Sequence, residues 1–236
     1  MQFAFLGISY QNTELEVREK AAFTDQKKMD FFHEAEQAGI RQCMILSTCN
    51  RSEVFYFWKE EKQKKQILKI YKSMFPEVEL EDYIRQDQGK EAVLYLFRVA
   101  AGLESMVAGE DQILGQVKHA QEFSRMMGAC GKELDKVVRD AVTCAKKIKS
   151  ELKISERPLS GGYIGIQKLN EACPIEGKKV LVIGSGNTAA LALKYLREYK
   201  AGEIFVCSRT YAHAGKLQEQ MKDLAGVPYQ ERYQIM

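Results

Sequence analysis

A chain of 236 residues with 45% apolar side chains has the material for two cored domains, so a disordered or fibrous protein is excluded. A net charge of +3 is too mild for a protein held to nucleic acid by a broad basic face, although it permits a nucleic-acid partner. The six cysteines (Cys43, Cys49, Cys130, Cys144, Cys173, Cys207) contain no C-x-x-C pair, and the three histidines (His33, His119, His213) fall in no ligand spacing, so no metal site is expected. With no signal peptide and no apolar run long enough to span a bilayer, the chain reads as a cytoplasmic protein with reduced thiols and no membrane contact.

Phe3 to Ile8 is an apolar first strand. Thr24 or Asp25 caps a helix that runs to about Ala38, where Gly39 stops it. Two further apolar runs, Met44–Leu46 and Val54–Trp58, read as strands, and Lys62–Phe75 repeats Ile67, Ile70, Tyr71 and Met74 at helical steps. The basic run Lys59–Lys65 is interrupted by acids and reads as a solvated helix start. Strands flanked by helices predict an α/β sandwich over residues 1 to about 100. From Glu91 the pattern is helical, with Gly109, Gly115, Gly128 and Gly131 breaking it into pieces. Leu134, Val137, Val138, Ala141, Val142, Ala145 and Ile148 form one apolar stripe, which predicts a long rod.

Between the second and third strands lies Ser47-Thr48-Cys49-Asn50-Arg51-Ser52-Glu53, a polar segment read as a loop or tight corner. A nucleophilic cysteine needs neighbouring positive charge or donors to hold its thiolate. Arg51 can supply that charge, or it can take a substrate carboxylate through its planar fork. The alternative is a small buried Cys49 beside a solvated Arg51.

Ser155–Gly162 is the best linker in the chain. After it, Lys178–Ile183 reads as a buried strand running into Gly184-Ser185-Gly186-Asn187-Thr188-Ala189 and then a helix. That is the dinucleotide fingerprint in its proper context: the glycines permit a tight turn and backbone approach to a pyrophosphate, and the helix start offers free N–H groups. At the tip of the next strand, Glu203–Cys207, stand Ser208, Arg209 and Thr210 in place of the acid that usually holds ribose hydroxyls. A guanidinium and two hydroxyls suit a 2′-phosphate, so NADPH is expected over NADH. Beyond Arg209 one helix, Tyr211 to about Leu224, leaves room for at most one further strand, where such sheets have about six.

The segment Ser47–Glu53 resembles the signature of the glutamyl-tRNA reductase family. A longer block, Phe97-Arg98-Val99-Ala100-Ala101-Gly102-Leu103-Glu104-Ser105-Met106-Val107-Ala108-Gly109-Glu110-Asp111-Gln112-Ile113-Leu114-Gly115-Gln116-Val117-Lys118, follows the family's longest motif almost residue for residue. The resemblance extends from residue 1 to about 217. It implies NADPH-dependent reduction of glutamyl-tRNA(Glu) to glutamate-1-semialdehyde through a thioester on Cys49, the first step of tetrapyrrole synthesis from glutamate. By the same resemblance, Thr48, Asn50 and Arg51 line the glutamate pocket, with Arg51 on the free carboxylate. Glu110 and Asp111 hold the α-ammonium, and Ser105, Gln112 and Gln116 orient polar groups. Glutamate-1-semialdehyde aminomutase is a candidate partner, and members form homodimers through a C-terminal helical domain that this chain is expected to lack.

Two departures stand out. Tyr10–Glu19 resembles the family's first motif, but Tyr10, Asn12 and Glu14 replace its usual histidine, threonine and proline. Tyr95 stands where a catalytic histidine is common, and a phenol with a pKa near 10 can donate a hydrogen bond but not act as a base near pH 7.

The expected fold class is therefore α/β. It comprises an α+β catalytic domain over residues 1–150 that includes the start of a long linking helix, a linker over 151–162, and an incomplete Rossmann-like NADP domain over 163–236. The alternative function is a non-reducing relative that binds the substrate or slowly hydrolyses it.

Overall fold

The computed structural model describes residues 1–152, 161–221 and 223–234. The chain divides into two compact units, Met1–Arg157 and Pro158–Met236. Most of the expected linker lies outside the described residues. Its two ends are helical.

In the first unit, strands β1 (Gln2–Ser9), β2 (Cys43–Thr48), β3 (Arg51–Trp58) and β4 (Arg85–Gln88) form an antiparallel sheet in the order β2-β3-β1-β4. Because side chains alternate along a strand, β1, β2 and β3 each feed two cores. Ala4, Leu6, Ile8, Ile45, Val54 and Tyr56 face helices α2 (Asp25–Gln37) and α3 (Glu61–Ser73). Phe3, Phe5, Met44, Leu46 and Phe55 face α4 (Lys90–Ala100), α5 (Gln112–Met126) and α6 (Lys132–Leu152). The runs read as continuously apolar because both sheet faces are covered. Each fully buried Phe or Leu contributes about 1.5–3 kcal/mol.

The predicted cap of α2 is present: the Thr24 side chain accepts from the Lys27 N–H at 3.2 Å, and Gly39 ends the helix region at a φ of 77°. The stripe predicted on α6 is buried at Leu134, Val138, Ala141, Val142 and Ala145. Gly115 does not break the helical pattern. It lies inside α5, where neighbouring turns carry the packing. Helix α1 (Leu15–Lys20) and strand β4 had no signal in the pattern. β4 is the polar run Arg-Gln-Asp-Gln, formed because β1 supplies a hydrogen-bonding edge, and its charged residues suit an edge strand.

In the second unit, α7 (Gly161–Ala172) precedes β5 (Val180–Ile183), α8 (Asn187–Glu198), β6 (Ile204–Cys207), α9 (Tyr211–Gln220) and β7 (Leu224–Gly226). The three strands are parallel in the order β5-β6-β7. Ile166, Ile175, Leu193, Leu196, Val206, Leu217 and Leu224 form its core. No helix among the described residues is long and apolar enough to cross a membrane.

Candidate functional site

The loop expected at Ser47–Glu53 is far shorter in the structure. β2 extends through Thr48 and β3 begins at Arg51, so only Cys49 and Asn50 remain as a hairpin turn. Neither residue takes a positive φ. The turn is held from outside instead. The Asn50 N–H donates to Thr48 Oγ1 at 3.1 Å, the Tyr10 N–H donates to the Asn50 carbonyl at 2.8 Å, and Arg18 Nε donates to the Cys49 carbonyl at 3.4 Å. Cys49 is exposed at this tip, whereas Cys43, at the far end of the same strand, is buried and its thiol pKa is pushed well up by burial. Burial suppresses the thiolate at Cys43, and Cys49 is the thiol that solvent and a substrate can reach.

Arg51 is not the solvated charge of the alternative reading, being only 2% exposed. Its Nη1 pairs with Glu53 at 3.2 Å and donates to the Tyr95 hydroxyl at 3.3 Å, while Nη2 donates to the Glu104 carbonyl. The cause is strand alternation: Arg51 and Glu53 are two apart on β3 and point to the same interior face. Burial works against the Arg51 charge, but Glu53 and Tyr95 more than offset it. Burial likewise pushes the Glu53 carboxyl above its usual range, opposed by Arg51 and Tyr95.

Tyr95, entered above at a catalytic position, is committed to this same network. It donates to Glu53 Oε1 at 2.5 Å, stacks on Phe5 at 4.1 Å and lies under the Arg85 guanidinium at 4.8 Å. Burial and the Glu53 charge drive its pKa far above the ordinary tyrosine range, which removes it as an acid or base at neutral pH. It positions Glu53 and Arg51.

The segment from Gly102 to Asp111 folds back on itself, with the Gly109 N–H donating to the Gly102 carbonyl at 2.9 Å. Gly102 has a φ of 79°, and a Cβ there would lie 3.1 Å from Gly109 Cα, so the closure requires glycine. Glu104 joins this segment to its surroundings through Arg98 at 2.7 Å and Gln11 at 2.8 Å. Ser105 is buried and its Oγ has no hydrogen-bond partner among the described residues. Glu110 is half-buried. Gln112 and Gln116 lie on the first turns of α5, one exposed and one half-buried.

Asp111 does not stand free for an ammonium, because Lys149 Nζ reaches its Oδ1 at 2.8 Å. Lys149 also donates to the carbonyls of Gly109 at 3.1 Å and Glu110 at 2.7 Å. Sequence reasoning missed Lys149, Glu53 and Glu104. The available signal for Lys149 was its place four residues after Ala145, on the apolar stripe of α6, where a lone ammonium must find partners. Lys149→Met keeps the apolar stem and removes all three bonds. It is expected to cost about 1–3 kcal/mol and to speed amide exchange across residues 109–111, read by hydrogen–deuterium exchange beside a thermal melt.

In the second unit, Gly184 takes a φ of 128° and its N–H donates to the Cys207 carbonyl at 2.8 Å, joining the turn to β6. Gly186 is the N-cap of α8, and its carbonyl accepts first from Ala190, so the N–H groups of Asn187, Thr188 and Ala189 begin the helix without intrahelical acceptors. A Cβ added at Gly184 or Gly186 would meet no atom within 4 Å, so the space over this turn is open to a pyrophosphate. Ser185 Oγ contacts Ser208 Oγ at 3.0 Å, tying the turn to the tip of β6. Arg209 and Thr210 are exposed, and Arg209 has no ion-pair partner among the described residues. These residues fit a dinucleotide phosphate.

One unit carries an exposed thiol on a clamped hairpin, and the other a parallel three-stranded sheet with a glycine turn of the dinucleotide-binding kind. Residues 6–152 match the family profile described as glutamyl-tRNAGlu reductase, N-terminal domain, and residues 167–234 match that of shikimate / quinate 5-dehydrogenase. The chain belongs to the glutamyl-tRNA reductase family. It is 40% identical over 238 residues to the glutamyl-tRNA reductase of Clostridium novyi (strain NT), covering 100% of this chain and 58% of the relative. It is 34% identical to that of Alkaliphilus metalliredigens (strain QYMF), covering 100% and 57%. The structure of glutamyl-tRNA reductase from Methanopyrus kandleri superposes with a TM-score of 0.64 at 29% identity, over 97% of this chain and 54% of that one. The chain thus spans a little over half the length of these relatives.

Proposed function

We propose that the chain forms the thiol-bearing and phosphate-binding parts of an NADPH-dependent reductase of glutamyl-tRNA(Glu), working in the cytoplasm as part of a homodimer and passing its product to glutamate-1-semialdehyde aminomutase. The observation that carries the reading is Cys49, exposed at the tip of a hairpin that Tyr10, Thr48 and Arg18 hold in place. The Cys49 thiolate attacks the ester carbonyl of the glutamyl group. The carbon–oxygen bond to the tRNA ribose breaks, the ribose oxygen leaves with a proton, and a thioester remains on Cys49. A nicotinamide cofactor, which Gly184–Ala189 and Arg209 would hold, would supply the hydride that reduces this thioester to the aldehyde, with the Cys49 thiolate as leaving group.

Thr48 and Asn50 flank the thiol, and Ser105, Glu110, Gln112 and Gln116 supply polar groups for the glutamyl ammonium and carbonyl. The buried, unpartnered Ser105 Oγ is a hydroxyl whose hydrogen bond a substrate would complete. Arg51 and Tyr95 act through the shape they give the corner and the Glu104 backbone.

The test is acid quenching of the protein with radiolabelled glutamyl-tRNA, followed by mapping of the label. Label on a peptide containing Cys49 supports the reading, and absence of any acyl-protein overturns it. Preference for the phosphorylated cofactor rests on the exposed, unpaired Arg209 beside Thr210. Arg209→Ala is expected to weaken NADPH binding by about 10- to 100-fold while leaving NADH binding nearly unchanged, as measured by titration calorimetry.

A further inference from the structure

We propose that Gln11 is a positioning residue for the acyl transfer: through Glu104 it fixes the segment that carries Ser105 against the Cys49 turn. This rests on the reading of Cys49 and Ser105 given above. It also gives a task to the segment that follows β1, Tyr10 to Thr13, which the chemistry of the thiol leaves unused.

Glu104 is the joint. It is 5% exposed, and each of its polar groups goes to a different element. Its carbonyl accepts from Arg51, the first residue of β3. Carboxylate Oε1 pairs with Arg98 Nε, in the last turn of α4, at 2.7 Å, and Oε2 accepts from Gln11 Nε2 at 2.8 Å. Ser105 follows directly, with its buried Oγ unpartnered among the described residues. The rest of the segment is anchored to α4 and to itself: the Leu103 N–H donates to the Arg98 carbonyl at 2.8 Å, and Gly109 closes onto Gly102.

A single bond from the hairpin to a main-chain carbonyl leaves the segment free to pivot about that bond. A second bond, to the carboxylate, removes the freedom, and Gln11 supplies it. A carboxylate only accepts, so the Gln11 amide must present its NH2 group. Gln11 suits the task because its own backbone is held on both sides. Before it, the Tyr10 N–H donates to the Asn50 carbonyl at 2.8 Å, one residue from Cys49. After it, Asn12 Oδ1 accepts from the Ser9 N–H at 3.2 Å, and Asn12 Nδ2 donates to the Tyr83 carbonyl. The Gln11 side chain thus links the frame of the thiol to the frame of Ser105. Such a link matters because a misplacement of about 1 Å between reacting groups costs about 100-fold in rate. Gln11 is itself exposed, so replacing it changes the link and spares the core.

The experiment follows single-turnover acylation of Cys49 by radiolabelled glutamyl-tRNA(Glu) over a range of tRNA concentrations, beside peptide-mapped alkylation of Cys49 by iodoacetamide. The first separates positioning, read as the maximal rate, from binding, read as the half-saturating concentration. The second reports the thiol and its turn with no acyl group to place. Gln11→Ala is expected to lower the maximal rate by about 10- to 100-fold, with half-saturation and alkylation within about twofold of the parent. Gln11→Lys keeps a donor on the carboxylate and is expected to recover most of the rate. Gln11→Glu sets two carboxylates together and is expected to lose as much as Gln11→Ala. Gln11→Ala/Glu104→Ala should be no slower than Glu104→Ala, because both changes break one link. A raised half-saturation with an unchanged maximal rate would put Gln11 on the tRNA and overturn the proposal. Alkylation slowed in step with acylation would make Gln11 a support of the turn alone, and losses that add in the double variant would give the two residues separate tasks; either overturns it. An unchanged acylation rate in Gln11→Ala overturns it as well and leaves the thiol reading intact. A parent that takes no label overturns both.

Discussion

Cys49→Ser is expected to abolish acyl transfer from glutamyl-tRNA, by about a thousandfold or more, while leaving the folded state within about 0.5 kcal/mol of the parent. The loss follows from chemistry. A serine hydroxyl is a far weaker nucleophile than a thiol near neutral pH, and Tyr95, buried and bonded to Glu53, cannot serve as its base. Stability is spared because Cys49 is exposed and the turn is held by backbone groups and by Thr48. Cys43 is the internal control. Burial raises its pKa and closes it to solvent, so a brief treatment with iodoacetamide should modify Cys49 and leave Cys43 untouched until the protein unfolds. An acyl group mapped to Cys43, or undiminished labelling in the serine variant, would assign the chemistry elsewhere.

Arg51→Leu is expected to have the largest effect on stability. It removes one half of a pair whose side chains are each about 1% exposed, leaving the Glu53 carboxylate with Tyr95 and only the weaker influence of Arg85. Breaking such a pair from one side costs about 3–5 kcal/mol. The effect should depend on pH with a definite sign. The folded-state pKa of Glu53 is already raised by burial, so the native protein binds its proton more tightly than the unfolded chain does. Stability from this group is fully present below the unfolded carboxylate value and is lost as pH rises through the folded one. Without Arg51 the folded value rises further. The deficit of the variant should therefore be smallest in acid and grow toward neutrality, as urea melts over that range would show. Arg51→Leu/Glu53→Leu should recover most of the loss, because an apolar pair of similar volume strands no charge. A deficit independent of pH would mean that Glu53 is not the group left exposed to cost.

The corner that holds Cys49 shows how much of a site can be read from a sequence. Two β-forming runs with thiol, amide and hydroxyl between them located the turn, since alternation and residue type are local properties. Its length was misjudged. Ser47, Thr48, Arg51, Ser52 and Glu53 look like loop residues but pair in register across β2 and β3, because the flanking strands carry the pairing onward regardless of polarity. The strand-turn-helix at Gly184–Ala189 was legible for a related reason: glycine spacing and a strand-to-helix switch occur within one short segment. β4 was not, because a strand of Arg85, Gln86, Asp87 and Gln88 exists only by virtue of the edge that β1 offers it.

The sequence by itself determined the α/β class, the cap and stop of α2, the buried stripe of α6, and the positions of the exposed thiol and the glycine turn before α8. All of these depend on periodicity or on residue types within a few positions of one another. Only the tertiary structure decided which charges are free. Arg51 is 44 residues from Tyr95 and 53 from Glu104, while Lys149 is about 40 from the carbonyls it holds. A charge buried with a distant partner and a charge left open to a ligand look identical along the chain. They differ only in which groups folding brings within about 3 Å, and in whether water remains to screen them.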